Sequence, residues 1–271
     1  MRHKIAGSGK GEAGRGKGGK QEREAARGAQ PQPRFPLPTS RVPPPEPLLL
    51  SWSGGKDSAL ALARLLRNPA FRVVGLLTTV TTEYDRISIH GVRRTLLLRQ
   101  ADALGLPVHE IEIAPRSSNE SYEAAWKGSL RALPGEMAEA RCIAFGDIFL
   151  EDVRRYREAM VHPLGYRTEF PLWGESTGSL ANEVVDSGFE ARVVCVDTHV
   201  MDASHAGRAY DAGFIARLPL SVDPCGERGE FHTFVSAGPG FRSPVGYTVG
   251  ETVLREDRFA YCDLAPDGAA P

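Results

Sequence analysis

Long hydrophobic runs are missing from this sequence. No apolar stretch approaches the roughly 20 residues a helix needs to cross a bilayer, so a helical membrane span is excluded. The first residues carry no apolar signal core, which predicts a cytoplasmic rather than a secreted protein. Cysteine is scarce. The four that occur, Cys142, Cys195, Cys225 and Cys262, are widely spaced and form no C-x-x-C pair. A zinc knuckle or a dithiol redox pair is therefore not expected, and the thiols read as buried and reduced. The seven histidines include no H-E-x-x-H and no tight cluster, so no structural metal site is expected. No internal repeat is present. An N-terminal nucleophilic cysteine is also missing, so no glutaminase part is expected.

What is present is ordinary in amount and uneven in placement. The 271 residues are 41% hydrophobic and 25% charged, the balance of a soluble globular protein. Residues 1–46 hold ten Lys and Arg against four Asp and Glu, a net of +6. The remainder holds 23 against 30, a net of −7, which argues against nucleic-acid binding by the folded part. Residues 1–46 are rich in Gly, Arg, Gln and Pro and read as a disordered basic tail. Within them, Gly11 to Gly18 has Walker-like spacing, but no Ser or Thr follows Lys17 and no strand precedes it.

One stretch organises the rest. Leu48-Leu49-Leu50 is a short apolar strand, Ser51-Trp52-Ser53-Gly54-Gly55-Lys56-Asp57-Ser58 a tight turn, and Ala59 to Leu66 a helix. Gly54 and Gly55 let the backbone turn sharply and its N–H groups approach a ligand. The first N–H groups of the helix have no partner inside it and carry the positive end of its dipole. Such a turn is an anion site suited to phosphate. Lys56 adds a mobile positive charge, Ser53 and Ser58 add hydroxyls, and Asp57 is a candidate Mg²⁺ ligand. The bland alternative is a turn that only joins a strand to a helix.

S-G-G-K-D-S resembles the PP-loop of the N-type ATP pyrophosphatases. That resemblance implies an adenine nucleotide alpha hydrolase-like fold, α/β and doubly wound on a mainly parallel sheet, with ATP held by its pyrophosphate end. It also implies transfer of AMP to an acceptor.

The chain agrees with that fold class. Strand and helix alternate from Pro47 onward, which predicts a parallel sheet covered on both faces. Strands are expected at Phe71–Thr78, Val108–Ile113, Cys142–Ile148 and Ala191–Val196. A polar loop with Tyr84 is expected at Thr79–Ser88. Helices are expected near Val92–Leu104, Glu120–Ala132, Glu151–Val161 and Ser176–Ser187. The Cys142 strand is expected on the opposite side of the first strand from the second. Asp147 would then point into a ligand crevice at the switch point, although it also suits a helix N-cap for Leu150–Met160. Beyond Val196 the rhythm changes. Residues 202–217 read as helical, Glu230–Val235 as a strand and Thr252–Leu264 as a terminal strand. The expected organisation is a nucleotide domain at 47–164, a smaller C-terminal substrate lobe at 165–264 and a tail at 265–271.

A second constellation lies in that lobe: Asp223-Pro224-Cys225-Gly226-Glu227-Arg228-Gly229-Glu230-Phe231-His232-Thr233-Phe234. Acids on a glycine-bounded loop reach a ligand or metal, or the string is a turn into an edge strand with His232 merely satisfied. The residues alone leave both readings open.

The string resembles the G-E-N-G-E-[FY]-H-T-F signature of the diphthine–ammonia ligase (diphthamide synthase) family within the PP-loop superfamily, with Arg228 in place of Asn. His90-Gly91-Val92-Arg93, Phe145-Gly146-Asp147-Ile148 and Pro171-Leu172-Trp173 also resemble it. The resemblance implies amide formation from a carboxylate, ATP and ammonia through an acyl-adenylate. It implies that Ser53, Gly54, Gly55, Lys56, Asp57 and Ser58, with Asp147, bind ATP. It further implies that Asp57 and Asp147 place Mg²⁺, that Lys56 and Asp57 serve catalysis, and that Glu227, Glu230 and His232 face the acceptor or guide ammonia. His232 is the candidate base or a hydrogen-bonding group. The implied acceptor is diphthine on elongation factor 2. A small carboxylate or a tRNA base is the alternative acceptor, and a nucleotide-binding sensor is the non-enzymatic alternative.

Overall fold

The computed structural model describes residues 43–81, 83, 86–87 and 91–268. Residues 1–42, with the basic tail and its Walker-like string, lie outside the described residues, as do Tyr84 and His90.

In β1 (Glu46–Ser51), Leu48, Leu49 and Leu50 are all fully buried. A run apolar on both faces suits the centre of a covered parallel sheet. In α1 (Lys56–Arg67) the buried face runs from Ala59 to Ala63 and includes Leu65. The chain then alternates through β2 (Phe71–Thr81), β3 (Arg86–Ile87), α2 (Arg94–Leu104) and β4 (Val108–Ile113). It continues through α3 (Asn119–Arg131), β5 (Cys142–Ala144), α4 (Glu151–Val161) and β6 (Arg167–Glu169). Capping follows the sequence: Gly105 closes α2 with φ at 66°, and the Ser118 hydroxyl accepts the Ser121 N–H at the start of α3.

Five of these strands are parallel in the order β4-β2-β1-β5-β6, and β3 adds antiparallel to the end of β2. Strand order reverses direction between β1 and β5, so the ends of these two strands flank the switch point. Leu48 and Leu50 join one core cluster with α1 and α2, while Leu49 joins another with Ile111, Trp126, Ile143 and Met160. Alternation along one strand thus covers both faces of the sheet, the doubly wound arrangement.

The chain goes on through α5 (Thr177–Asp186), β7 (Glu190–Asp197), α6 (Ala212–Ile215), β8 (Phe231–Ala237), β9 (Tyr247–Arg255) and β10 (Phe259–Pro266). The last four strands form an antiparallel sheet in the order β8-β7-β10-β9. Its Val193, Phe234 and Val235 pack in the same cluster as Leu60 and Leu62 of α1.

Several boundaries differ from expectation for local reasons. Residues 202–217 are not one helix, because the Val193 and Tyr210 N–H groups donate to Arg208 and Ala191, and Gly207 donates to Val193. Those bonds draw the segment against β7 and leave only a single turn at Ala203–His205 and the four-residue α6. The expected terminal strand Thr252–Leu264 is a hairpin, reversed at Glu256 and Asp257 with φ of 53° and 49°. β2 runs three residues beyond Thr78, since Thr79, Val80 and Thr81 still pair with β4. β5 is shorter than Cys142–Ile148 because the chain turns to bring Gly146 against α1. A Cβ there would lie 3.1 Å from Asp57 C and Ser58 N. Asp147 does not cap α4, whose N-cap residue is Leu150 with no side-chain cap.

Candidate active site

The loop after β1 is held open at its base. The Trp52 N–H donates to the Leu77 carbonyl at 2.7 Å, which carries the sheet one residue past the strand. Gly54 takes φ of 78°, a conformation that needs no Cβ. Gly55 is the N-cap of α1 in an extended conformation and supplies no side-chain cap. The Ser53 and Ser58 hydroxyls stand 3.2 Å apart across the first turn, Ser58 donating to the Gly55 carbonyl at 2.9 Å. Two hydroxyls and the positive end of the helix therefore converge on one small volume, which fits an anion such as phosphate.

Lys56 is not a mobile charge here. Its side chain is buried, with Nζ donating to Asp57 Oδ2 at 2.9 Å and to the Cys225 carbonyl. The Tyr210 and Phe231 ring centroids lie 5.5 and 5.2 Å from Nζ. Burial works to lower the Lys56 pKa, but the adjoining Asp57 carboxylate and its hydrogen bond, with Glu227 further off, outweigh it and raise the pKa. Asp57 is raised as well, by burial against the pull of Lys56. The Lys56 N–H donates to Thr233 Oγ1 at 3.0 Å, so β8 supplies a side chain to the first turn of α1.

The acid-rich loop is a built structure. Asp223 Oδ1 accepts the Cys225 N–H at 2.9 Å and the Glu227 N–H at 3.3 Å. Glu230, also buried, accepts the Asp223 N–H at 3.0 Å on one oxygen and the Arg228 N–H at 2.9 Å on the other. Gly226 and Gly229 turn with φ of 68° and 86°. Glu227 is thereby carried to the switch point, where Oε1 accepts the Ile148 N–H at 2.7 Å and the Phe149 N–H at 3.4 Å. Burial pushes its carboxyl up to about 7, helped by the nearby Asp57 and Asp147 charges and opposed by the Ile148 and Phe149 N–H groups.

Asp147 stands beside Glu227 and pairs with Arg157, Nε to Oδ2 at 3.5 Å. Among the described residues no three His, Cys, Asp or Glu side chains converge on a metal position. Asp57 and Asp147 suit a cation that brings other oxygen ligands with it, and the two alone do not make a closed site.

The structure thus brings Ser53, Gly54, Gly55, Lys56, Asp57, Ser58, Asp147 and Glu227 together. Glu230 sits behind them with its carboxylate committed to the loop. Phe231 and Thr233 both reach Lys56 from one face of β8, so strand alternation puts His232 on the opposite face, away from the phosphate loop. Arg228 is mostly exposed and lies over the Phe149 ring, 5.5 Å from its centroid. Sequence reasoning missed Thr233, Tyr210, Arg157 and the fully buried Gln100 as parts of this site. Gln100 left a signal as a polar side chain in the apolar stripe of α2, and Thr233 stood within the quoted acid-rich string without a role. All four cysteines are buried and unbridged as expected, and burial pushes Cys142, Cys195 and Cys225 each up to about 12.

A doubly wound sheet with S-G-G-K-D-S at its switch point defines a PP-loop nucleotide-binding protein. Comparison with protein families narrows this. The model of the diphthamide synthase N-terminal domain matches residues 48–168, and that of the diphthamide synthase C-terminal domain matches residues 176–263. The chain belongs to the diphthamide synthase family. Among its relatives are the diphthine–ammonia ligases of Homo sapiens and Rattus norvegicus. The human protein is 29% identical over 241 residues, 77% of this chain and 85% of the relative. The rat protein is 27% identical over 235 residues, with the same shares covered. No helix among the described residues is long and apolar enough to cross a membrane.

Proposed function

We propose that this protein is an ATP-dependent amide ligase that transfers AMP to a carboxylate, releases pyrophosphate and lets ammonia displace the AMP. The observation that carries this reading is the union of the two constellations. Lys56 of the phosphate loop is bonded to Cys225 and Thr233 of the acid-rich segment, and Glu227 of that segment is bonded to Ile148 beside Asp147. A nucleotide loop and an acceptor loop built into one site suit a two-substrate transfer better than simple nucleotide storage.

Carboxylate alone is a poor electrophile, and ATP supplies the AMP that makes it one. Ser53, Gly54, Gly55 and Ser58 cradle the departing pyrophosphate with amides and hydroxyls. Lys56 neutralises the loop from behind. Asp57 and Asp147 would hold Mg²⁺, which would supply charge neutralisation at the phosphate oxygens. Glu227, poised near neutrality, faces the acceptor side and accepts a proton from the attacking ammonia. Glu230 holds the loop that presents Glu227, and His232 serves the acceptor from the far face of β8. On this reading residues 47–164 handle the nucleotide and 165–264 the acceptor. The acceptor is diphthine on elongation factor 2, and the reaction takes place in the cytoplasm.

The sealed Lys56 ammonium favours one alternative, a nucleotide-binding sensor. Incubation with Mg-ATP, ammonia and diphthine-bearing elongation factor 2 separates the two. Acceptor-dependent release of AMP and pyrophosphate is expected. Lys56→Ala or Asp57→Ala should lower it about 100-fold or more. Binding without turnover, or formation of ADP and phosphate, would overturn the ligase reading.

A further inference from the structure

Gln100 belongs to neither constellation, yet its carboxamide joins the phosphate loop to β8 just beyond the acid-rich string. It is fully buried on α2, 0% exposed, among Leu96, Leu97, Ala101, Ala103 and Leu104. Its Oε1 accepts the Trp52 indole N–H at 3.1 Å. Its Nε2 donates to the Gly54 carbonyl at 3.0 Å and to the Val235 carbonyl at 2.6 Å. The amide orientation is forced, because a flipped group would set its oxygen against two carbonyls and its NH₂ against an N–H. The Val235 N–H closes the figure by donating to Gly54 at 2.9 Å.

We infer that Gln100 is a positioning residue that fixes the shape of the phosphate loop and ties it to β8. This inference rests on the ligase reading for its catalytic meaning, but the tie itself is a property of the fold. Gly54 is the loop's left-handed residue, so holding its carbonyl sets the direction of the amides that follow. Oε1 also abuts this glycine closely enough that a Cβ on Gly54 would stand 2.7 Å from it. The other end of the tie, Val235, lies two residues beyond Thr233, whose hydroxyl takes the Lys56 N–H. A shift of β8 under an acceptor is therefore transmitted to the first turn of α1 at two points, Gly54 and Lys56. A long apolar side chain such as Met would fill the same volume but lose both carboxamide donations, leaving only the Val235 N–H bond to Gly54 and the Thr233 bond to Lys56.

The test compares Gln100→Met with Leu97→Ala, a core truncation on the same helix that removes no hydrogen bond. Two readouts are taken on the full chain. In hydrogen exchange without nucleotide, Gln100→Met should speed exchange of the Lys56 and Val235 amides at least tenfold over their helix and strand neighbours. Leu97→Ala should raise protection loss evenly. In equilibrium binding of Mg-ATP, Gln100→Met should weaken affinity at least tenfold at a melting temperature where Leu97→Ala leaves it within twofold. Unchanged exchange at Lys56 and Val235, or equal effects in both variants at matched stability, would overturn the inference. A wild-type chain that binds no ATP but shows the exchange pattern would sink the ligase reading and leave the tie standing.

Discussion

Glu227 is a carboxyl that loses its proton near neutrality. Its folded pKa of about 7 stands above the ordinary 4.5. The folded state therefore binds this proton more tightly than the unfolded chain does. The stability it contributes is complete below pH 4.5 and is lost as pH rises to about 7. The amount is at most about 3 kcal/mol. Glu227→Gln should flatten the denaturation midpoint between pH 5 and 7 in the nucleotide-free protein. Urea melts across that range are the check, and a wild-type slope retained in the variant would refute the shift. The two glycines beside it make a second comparison. A Cβ on Gly226 would meet the Phe231 carbonyl at 2.7 Å, whereas one on Gly229 meets nothing within 4 Å. Gly229→Ala should cost about 1 kcal/mol for its left-handed backbone alone. Gly226→Ala should cost about 3 kcal/mol and disturb the Glu227 presentation. Thermal denaturation of the pair measures the difference.

At the scale of elements, the site depends on contacts that single elements cannot make. β5 delivers Gly146 to the backbone of α1, and β8 delivers Thr233 to its first N–H. Thr233→Val keeps the shape and removes the acceptor, leaving a buried N–H unpaired. A loss of about 1–2 kcal/mol of stability is expected, with a larger loss of ATP affinity than a surface Thr→Val produces. Titration calorimetry reads the affinity. The same contrast explains what the sequence revealed. β1, α1 and the parallel sheet were legible because the signal is local: Leu48 to Leu50 are apolar without a break, and Gly54-Gly55 punctuates them. The hairpin of β9 and β10 was not legible, because Glu256-Asp257 is no usual turn pair and β9 is exposed along almost its whole length. The role of Glu230 was hidden for another reason. Its carboxylate serves backbone groups two and seven residues upstream, and no side-chain spacing announces that.

For the whole molecule the two sheets share one core. Val193, Phe234 and Val235 of the antiparallel sheet lie in the cluster that contains Leu60, Leu62 and Leu97. A chain of residues 43–175 would strip that cover and expose the outer face of α1. It should not fold alone, and circular dichroism should show no cooperative melt. The stretch from residue 43 to 268 should unfold in one calorimetric transition. Two separated transitions would show that the halves are independent.

The sealed thiols carry a practical consequence. Sulfurs this deep, held protonated by burial, offer alkylating reagents no foothold on the native surface. A single cysteine engineered at exposed Val253 on the outer strand would then be the sole reactive handle of the folded protein. A dye or spin label attached there would carry no background to subtract.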